Sequence, residues 1–212
     1  MEEVFNLEKC ITALRDKREI FHSEADFQFA LAWEIQLAYP KAVVHLEYCP
    51  KAMPNMHIDI VVLYGGKFYP IELKYKTANL DVDLGSEAFH LKNHGAQDIG
   101  KYDCMLDIQR IESMRGVIPG FEKGYAVWLT NDSLYWKAPC KTGVFYREFS
   151  IHEGSIKRGV MSWDEKTGKG TTKGRTKPVV LRGTYTINWK PYSTVKADRN
   201  GEFYYALIEV KR

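Results

Sequence analysis

The stretch HIDIVVLYGGKFYPIELKYK, residues 57–76, decides the fold because it holds two apolar runs on either side of Gly65-Gly66. A glycine pair suits a two-residue hairpin turn, since both turn positions can require positive φ. With that turn, residues that face each other across the hairpin have numbers that sum to 131, and Asp59 and Glu72 meet this condition. The sequence therefore predicts a β-hairpin with two facing carboxylates.

The two carboxylates lie on the face of the hairpin opposite its apolar side chains. Strand alternation places five apolar side chains on one face, the expected core face, and this fixes the register. These five are Ile58, Ile60, Val62, Ile71 and Leu73. Facing Cβ atoms are about 4.5–5.5 Å apart, so like charges there repel. Lys74 returns to the acidic face two residues after Glu72. We expect a divalent metal ion between the carboxylates, because it would relieve their repulsion.

The residue types at this point of the hairpin favour one kind of chemistry. Carboxylate oxygens suit Mg²⁺ or Mn²⁺, which keep several water ligands and bind through a couple of carboxylates plus a substrate phosphate. Such a metal lowers the pKa of its bound water and screens phosphate charge, and an adjacent lysine can hold the attacking water and help to deprotonate it. This is phosphodiester hydrolysis. The alternative is a solvent-facing hairpin with scattered charges, because short motifs also arise by chance.

Asp59, twelve intervening residues and then Glu72-Leu73-Lys74 resemble the signature of the PD-(D/E)XK, or restriction-endonuclease-like, nuclease superfamily. The resemblance covers about residues 20–130. It implies an α/β fold whose mixed central sheet is flanked by helices. It also implies that Asp59, Glu72 and the main-chain carbonyl of Leu73 bind Mg²⁺ or Mn²⁺, with Lys74 as the catalytic lysine.

One position departs from the superfamily pattern, since His57-Ile58 stands where many members have a proline directly before the aspartate. The resemblance implies a metal-dependent nuclease that acts on nucleic acid, DNA rather than RNA. Two alternatives stay open: a binding module of the same fold without turnover, and an enzyme for another phosphate ester. The intact Asp59, Glu72 and Lys74 disfavour the silent binding module.

Further residues match superfamily positions around the hairpin. Many members carry an acidic residue on the helix before the core strands, and Glu24 fits as a catalytic metal ligand; an ordinary glutamate in the first turn of a helix is the alternative. Gln97 and Tyr102 are similar to the Gln-and-Tyr helix of exonuclease-like members, with one extra residue between them. Gln97 is predicted to orient the scissile phosphate, and Tyr102 either contacts nucleic acid or packs in the core. Lys76, one pleat beyond Lys74, is assigned to nucleic-acid contact.

The remaining charged residues and histidines are weaker candidates. Glu34 and Glu47 are substitutes for the acidic helix residue. His90 and His94 have a spacing that could bind zinc on a helix, but a third ligand is missing from the pattern. A set of charged residues late in the third helix is expected to form surface ion pairs. It consists of Asp107, Arg110 and Glu112.

A basic run, DEKTGKGTTKGRTK at residues 164–177, has the glycines and threonines of a flexible loop. Its cations could contact phosphates without reading sequence. The residues assigned to this role are Lys169, Lys173, Arg175 and Lys177. A solvated loop without a partner is the alternative.

Hydrophobic periodicity predicts the order of the elements. The predicted elements are helices at 3–19, 23–39 and 97–114, strands at 42–48, 57–64, 67–76, 125–130 and 133–137, and short β-hairpins beyond 144. We expect a nuclease-like core at 1–143, including the N-terminal helices, and a β-rich C-terminal extension at 144–212 packed on the same domain.

Composition limits the cellular context. The chain of 212 residues is 45% hydrophobic, which indicates a folded globular protein, and its net charge of +3 is too small to imply a polyanion partner by itself. The four cysteines are far apart and form no CxxC motif, which speaks against a thiolate zinc site or a disulfide framework. The acidic start MEEVFNLEKC lacks the regions of a signal peptide, and no apolar run reaches the roughly 20 residues of a membrane helix. We expect a cytoplasmic protein with no membrane partner.

Overall fold

The computed structural model describes residues 4–140 and 143–212. Its helices are α1 (Leu7–Arg15), α2 (Glu24–Ala38), α3 (Gln97–Met114) and α4 (Lys169–Thr172), with a 3₁₀ turn at Arg147–Phe149. Its strands are β1 (Val43–Tyr48), β2 (Ile58–Tyr64), β3 (Lys67–Lys76), β4 (Leu80–Leu84), β5 (Glu87–Leu91), β6 (Lys123–Thr130), β7 (Ile156–Met161), β8 (Val179–Thr186), β9 (Trp189–Thr194) and β10 (Glu202–Lys211).

A six-stranded sheet in the order β1-β2-β3-β6-β10-β9 forms the centre of the protein. The neighbours β3 and β6 run parallel, and every other neighbouring pair in this sheet is antiparallel. Helices α1 and α2 cover one face, whereas α3 and the β7–β8 hairpin cover the other. The α/β class and the mixed sheet flanked by helices are therefore confirmed. In the described part of the chain, no helix has the length and apolarity to cross a membrane.

The β2–β3 hairpin has the predicted register. Ile60 pairs with Ile71 and Tyr64 with Lys67, so paired numbers sum to 131. Gly65 and Gly66 form the turn with φ of +57° and +71°, a conformation that side chains with a Cβ rarely adopt. Continuing the register by one residue places Asp59 opposite Glu72.

Both faces of the hairpin are buried, which differs from the single core face expected. One set of its apolar residues packs under α1 and α2, while Val61 and Phe68 pack under α3. Ile58 also joins the cluster under α3, contrary to its predicted side. The acidic face is thus largely covered by a helix, unlike the solvent-facing hairpin of the alternative interpretation.

The C-terminal segment takes a larger part in the fold than an extension would. Strand β10 pairs along its length with β6, and β9 follows as the outer strand, so residues 144–212 supply two strands of the central sheet. The β7–β8 hairpin is anchored on α3 by Glu112, whose carboxylate accepts from the backbone N–H of Arg182 at 2.8 Å and of Gly183 at 2.7 Å. The Tyr185 hydroxyl donates to the same carboxylate at 2.6 Å. Glu112 is therefore an internal anchor rather than a surface ion-pair residue.

Two local predictions were wrong. Residues 133–137 form a turn rather than a strand. The first helix, predicted at 3–19, is shorter: α1 begins at Leu7, capped by the Asn6 side chain, and ends at Arg15, and Val4 before it is exposed. Residue 3 of the predicted helix lies outside the described residues. The antiparallel hairpin of β4 and β5 was not predicted.

Gly124 at the start of β6 sets how closely α3 approaches the sheet. A Cβ placed there would lie 2.2 Å from Ile111 Cγ2 on α3 and 3.1 Å from the Pro70 ring. We expect Gly124→Ala to lower the free energy of unfolding by about 1–3 kcal/mol, because an overpacked core must shift backbone or rotamers. Urea denaturation measures this. Gly168→Ala is the matched control, since a Cβ there meets nothing within 4 Å, and equal stability of the two variants would contradict the prediction.

Candidate active site

The candidate site lies where the edge of β3 becomes free. Strand β2 pairs with β3 only as far as Ile60 opposite Ile71. Beyond that pair, the N–H of Leu73 donates to Asp59 Oδ2 at 2.7 Å and the N–H of Tyr75 donates to Glu24 Oε2 at 2.8 Å. Two carboxylates thus satisfy backbone donors that a longer β2 would have bound. We call this opening, bounded by Glu24, Asp59 and residues 73–75, the β3 notch.

Glu72 lies beside the notch, under α3, with its side chain 0% exposed. Arg110 Nη2 is 3.0 Å from Oε1, at ion-pair distance but outside hydrogen-bond geometry, and neither carboxylate oxygen has a hydrogen bond within the described residues. Burial raises the pKa of Glu72 well above its usual range, and the charges of Asp107 and Asp59 raise it further against the opposing effect of Arg110 and Lys74. Burying a carboxylate whose oxygens accept no hydrogen bond is costly, and the nearby Arg110 offsets only part of this cost, since the pKa of Glu72 stays raised.

Lys74 connects the notch to α3. Its Nζ is 3.1 Å from Asp107 Oδ2 and donates to the Leu73 carbonyl at 3.1 Å. Burial opposes the charge on Lys74, but the carboxylates of Asp107 and Asp59 outweigh it and raise the pKa of the lysine. Lys74 is therefore an ammonium group at neutral pH, able to donate hydrogen bonds to a water or a phosphate oxygen.

Asp107 is the main residue that the sequence reasoning placed wrongly. It is 2% exposed, and burial raises the pKa of its carboxyl to about 6 although Lys74 lowers it. Helical spacing carried a signal for this burial: Asp107 lies between Cys104, Ile108 and Ile111, at the offsets of one helix face. Arg110, one turn later, contacts Glu72 and donates to the His57 carbonyl, so it also belongs to the site rather than to a surface ion pair.

Asp59 is held from its main chain as well as its side chain. Gln28 on α2, a residue not singled out from the sequence, donates to the Asp59 carbonyl at 2.7 Å and to Glu47 Oε1 at 2.8 Å. Burial raises the pKa of Asp59, with further contributions from Glu24 and Glu47, whereas Lys74 and the Leu73 N–H lower it. The structure thus gathers Glu24, Asp59 and Lys74 at the notch as predicted, with Glu47 at its rim.

Lys76 and Glu34 lie farther from the centre of the site. Lys76 Nζ is 3.9 Å from Glu24 Oε2, close enough for weak attraction across the notch. Glu34 is instead buried and pairs with Lys17, which follows α1, at 2.6 Å. Glu34 is therefore no substitute for Glu24 at this site.

Two residues of α3 do not reach the notch. Gln97 donates to Asp132 Oδ2 at 2.9 Å, and it precedes Asp107 by ten residues, about 15 Å along the helix. Tyr102 is 4% exposed, its ring stacks on Trp163 with centroids 5.5 Å apart, and its hydroxyl donates to a backbone carbonyl. Tyr102 is a core residue, which corrects its assignment to nucleic-acid contact.

The basic run is held against α3 by side-chain contacts and is not a free loop. Arg175 forms a two-pronged ion pair with Asp103 at 2.8 and 3.0 Å, and its carbonyl accepts from Trp163 Nε1 at 2.8 Å. Thr171 donates to Asp98 at 3.2 Å. Arg175 therefore anchors the loop, and its guanidinium group is already paired. The other three residues assigned to phosphate contact, Lys169, Lys173 and Lys177, are exposed.

The histidine pair is not on a helix. His90 lies in β5, and its Nδ1 is 2.8 Å from Asp81 Oδ1. His94 lies in the following loop, where its Nδ1 accepts from the Thr77 N–H at 3.0 Å. The two histidines do not lie on one helix, so the geometry that suggested a zinc site is absent and that hypothesis is wrong.

The donors at the notch fit a hard cation in chemistry, though not as a ready-made cage. No group of three or more His, Cys, Asp or Glu side chains converges on one point among residues 4–140 and 143–212. The oxygen donors on hand are the carboxylates of Asp59 and Glu72 and the Leu73 carbonyl, a sparse set of the kind with which Mg²⁺ keeps most of its waters. The oxygens of buried Glu72 accept no hydrogen bond among the described residues, and this observation supports the fit.

Comparison with protein-family models and with curated proteins returned no match to this chain. A function for the site therefore depends on its own geometry and chemistry.

Proposed function

We propose that this protein is a Mg²⁺- or Mn²⁺-dependent nuclease that hydrolyses phosphodiester bonds, with the β3 notch as its active site. One observation carries the proposal: the fully buried Glu72 carboxylate accepts no hydrogen bond among the described residues, and it lies close enough to Asp59 and Lys74 for their charges to shift its pKa. The choice of DNA over RNA comes from the resemblance to restriction-endonuclease-like nucleases.

Each residue of the notch has a distinct task in this proposal. Asp59, Glu72 and the Leu73 carbonyl would hold the metal, which when bound supplies an acidified water and screens phosphate charge. Lys74 donates to the attacking water or to a phosphate oxygen, because its raised pKa keeps it protonated. Asp107 orients the ammonium of Lys74 through their 3.1 Å ion pair.

A catalytically silent nucleic-acid-binding module is the second candidate. The observation that favours it is that cations already stand beside the carboxylates, with Arg110 3.0 Å from Glu72 and Lys74 3.1 Å from Asp107. Such pairs can persist as a structural network without any metal.

Incubation with DNA separates these functions. We expect the purified protein to convert circular single-stranded, circular duplex or linear DNA to shorter products with Mn²⁺ or Mg²⁺, and to leave them intact with a chelator. Cleavage of a closed circle would identify endonuclease action. DNA binding without cleavage of any substrate, RNA and small phosphodiesters included, would instead identify a silent module.

The exposed lysines of the basic run provide a separate prediction for binding. Replacing Lys169, Lys173 and Lys177 with serine should weaken DNA binding regardless of sequence. The slope of log K against log salt should flatten by up to about 0.9 for each lysine that contacts duplex phosphate. Fluorescence anisotropy over a salt series measures it. The control replaces exposed Lys41 and Lys211, and a loop variant whose slope equals that of the control would show that the loop is only solvated surface.

A further inference from the structure

A polar cleft of about 900 Å³ lies beyond the carboxyl ends of the parallel strands β3 and β6. Its walls come from Ala78 after β3, Asn131 after β6, Gln97 in the first turn of α3 and the β9–β10 turn at Asn200. We call it the end cleft. In open α/β sheets, the crevice outside the carboxyl ends of parallel strands is a favoured place for a ligand, and this volume suits a small one.

The walls of the end cleft are fixed to each other. The side chain of buried Asn131 accepts from the Ala78 N–H at 2.8 Å and donates to the Asn200 carbonyl at 2.8 Å. Asn200 has a positive φ of 67° and donates to the Asn79 carbonyl at 3.0 Å. One asparagine therefore joins the ends of two strands to a turn, so the cleft exists before any ligand enters.

The lining leaves a particular set of groups unused. The side chains of Asn79, Asn93 and Arg199 are exposed and make no hydrogen bond within the described part of the chain. Amide side chains and arginine are the groups that pair with the polar edges of bases. Leu134, 57% exposed at the same cleft, offers an apolar contact for the face of a ring. This combination suits the edge and face of a heterocycle better than a bare phosphate.

The end cleft lies within reach of a strand that occupies the β3 notch. From Lys74 the chain runs through the end of β3 to Ala78 in four residues, at most about 13 Å at the rise of an extended chain. That distance corresponds to a few nucleotides. We infer that the end cleft binds one unstacked nucleobase of the nucleic-acid strand whose phosphate lies at the notch. This inference rests on the proposed function, since it takes the ligand to be a polynucleotide.

A scan with abasic sites tests the inference. The probe is a short fluorescein-labelled single strand of DNA, bound in Ca²⁺ to suppress cleavage, in a series that lacks the base at one position at a time. We expect one position at which loss of the base weakens binding about tenfold, the size of one good base contact. The double variant Asn93→Ala with Arg199→Ala should reduce that difference to less than about twofold.

A matched double variant controls for loss of an amide and a cation elsewhere. Asn188→Ala with Arg158→Ala changes the same residue types at exposed positions outside the cleft, and it should keep the tenfold position dependence. Uniform affinity across the abasic series, equal position dependence in both double variants, or no binding of the strand would each overturn the inference.

The outcome is distinguishable from failure of the proposed function, because cleavage in Mn²⁺ is measured separately. A protein that shows the position-dependent loss but never cleaves DNA would retain the end cleft and lose the nuclease proposal. A protein that cleaves DNA without the position-dependent loss would retain the nuclease and lose the end cleft.

Discussion

Glu72→Gln and Asp59→Asn should each leave no Mn²⁺-dependent cleavage above background and should weaken Mn²⁺ binding. Each change removes one charged oxygen donor from a set that has only two carboxylates, while it keeps the shape of the side chain. Calorimetric titration with Mn²⁺ decides the matter. Glu122→Gln, at an exposed carboxylate paired with Lys67, is the control that should behave as wild type. Unchanged Mn²⁺ affinity in both notch variants would show that the carboxylate pair is not the metal site.

The fold should tolerate Glu72→Gln, and the pH dependence of stability should report why. Because the pKa of Glu72 in the folded protein lies above its ordinary value of 4.5, the folded state favours the protonated form. In chelator, the stability that Glu72 contributes is therefore fully present below that value and is lost as the pH rises through the raised pKa. The neutral glutamine cannot ionise, so the variant should lose less stability than wild type as the pH rises above about 4.5. Urea midpoints that change in parallel would contradict the raised pKa.

Lys74→Ala should lower the single-turnover rate by roughly 10²–10⁴ while Mn²⁺ and DNA binding persist, because the ammonium acts on the reacting groups rather than on the metal. Single-turnover rates at saturating enzyme, measured beside a binding isotherm in Ca²⁺, separate the two effects. Lys76→Ala, one pleat further along β3 and 3.9 Å from Glu24, should change the rate little. A Lys74→Ala protein that cuts as fast as wild type would refute the catalytic role.

Loss of the Lys74 ammonium also leaves buried Asp107 without this ion pair. The free energy of unfolding of the variant should therefore fall by about 3–5 kcal/mol. The double variant Lys74→Ala with Asp107→Asn removes the orphaned charge and should recover stability. If the lysine is catalytic, the rate should stay low in this double variant. Recovery of both stability and rate would show that the lysine serves only the fold.

The β2–β3 hairpin could be predicted from the sequence because its signals are local and agree with each other. Glycines at the turn, alternating apolar residues and the predicted sum of paired positions all specify one register, which the structure reproduces. The bounds of α3, Gln97–Met114, were likewise readable from helical spacing. The β4–β5 hairpin, which was not predicted, also has a local signal. Apolar and polar residues alternate in LDVDL and EAFHL on either side of Gly85-Ser86.

The features that could not be predicted depend on contacts between residues that are distant in the sequence. The pairing of β10 with β6 joins residues about 80 positions apart, and no local pattern specifies a partner for a strand. The burial of Asp107 and the contact of Arg110 with Glu72 follow from α3 lying on the acidic face of the hairpin, and the assumption of a single core face excluded that placement. A charge on the apolar face of a helix was the one available warning.

Because Asp59 and Glu24 close the free edge of β3, the notch residues should be retained to different degrees among descendants of this chain. Asp59 and Glu24 bind the backbone N–H groups of Leu73 and Tyr75, so a lineage that lost catalysis would still be selected to keep them. Glu72 accepts no hydrogen bond among the described residues, and its burial makes ionisation of this carboxyl costly in a protein that has no metal to bind. Under the proposed function, a lineage that lost catalysis would therefore lose Glu72 first. Retention of this glutamate, rather than of the aspartate, would then mark the diverged copies that keep the proposed activity.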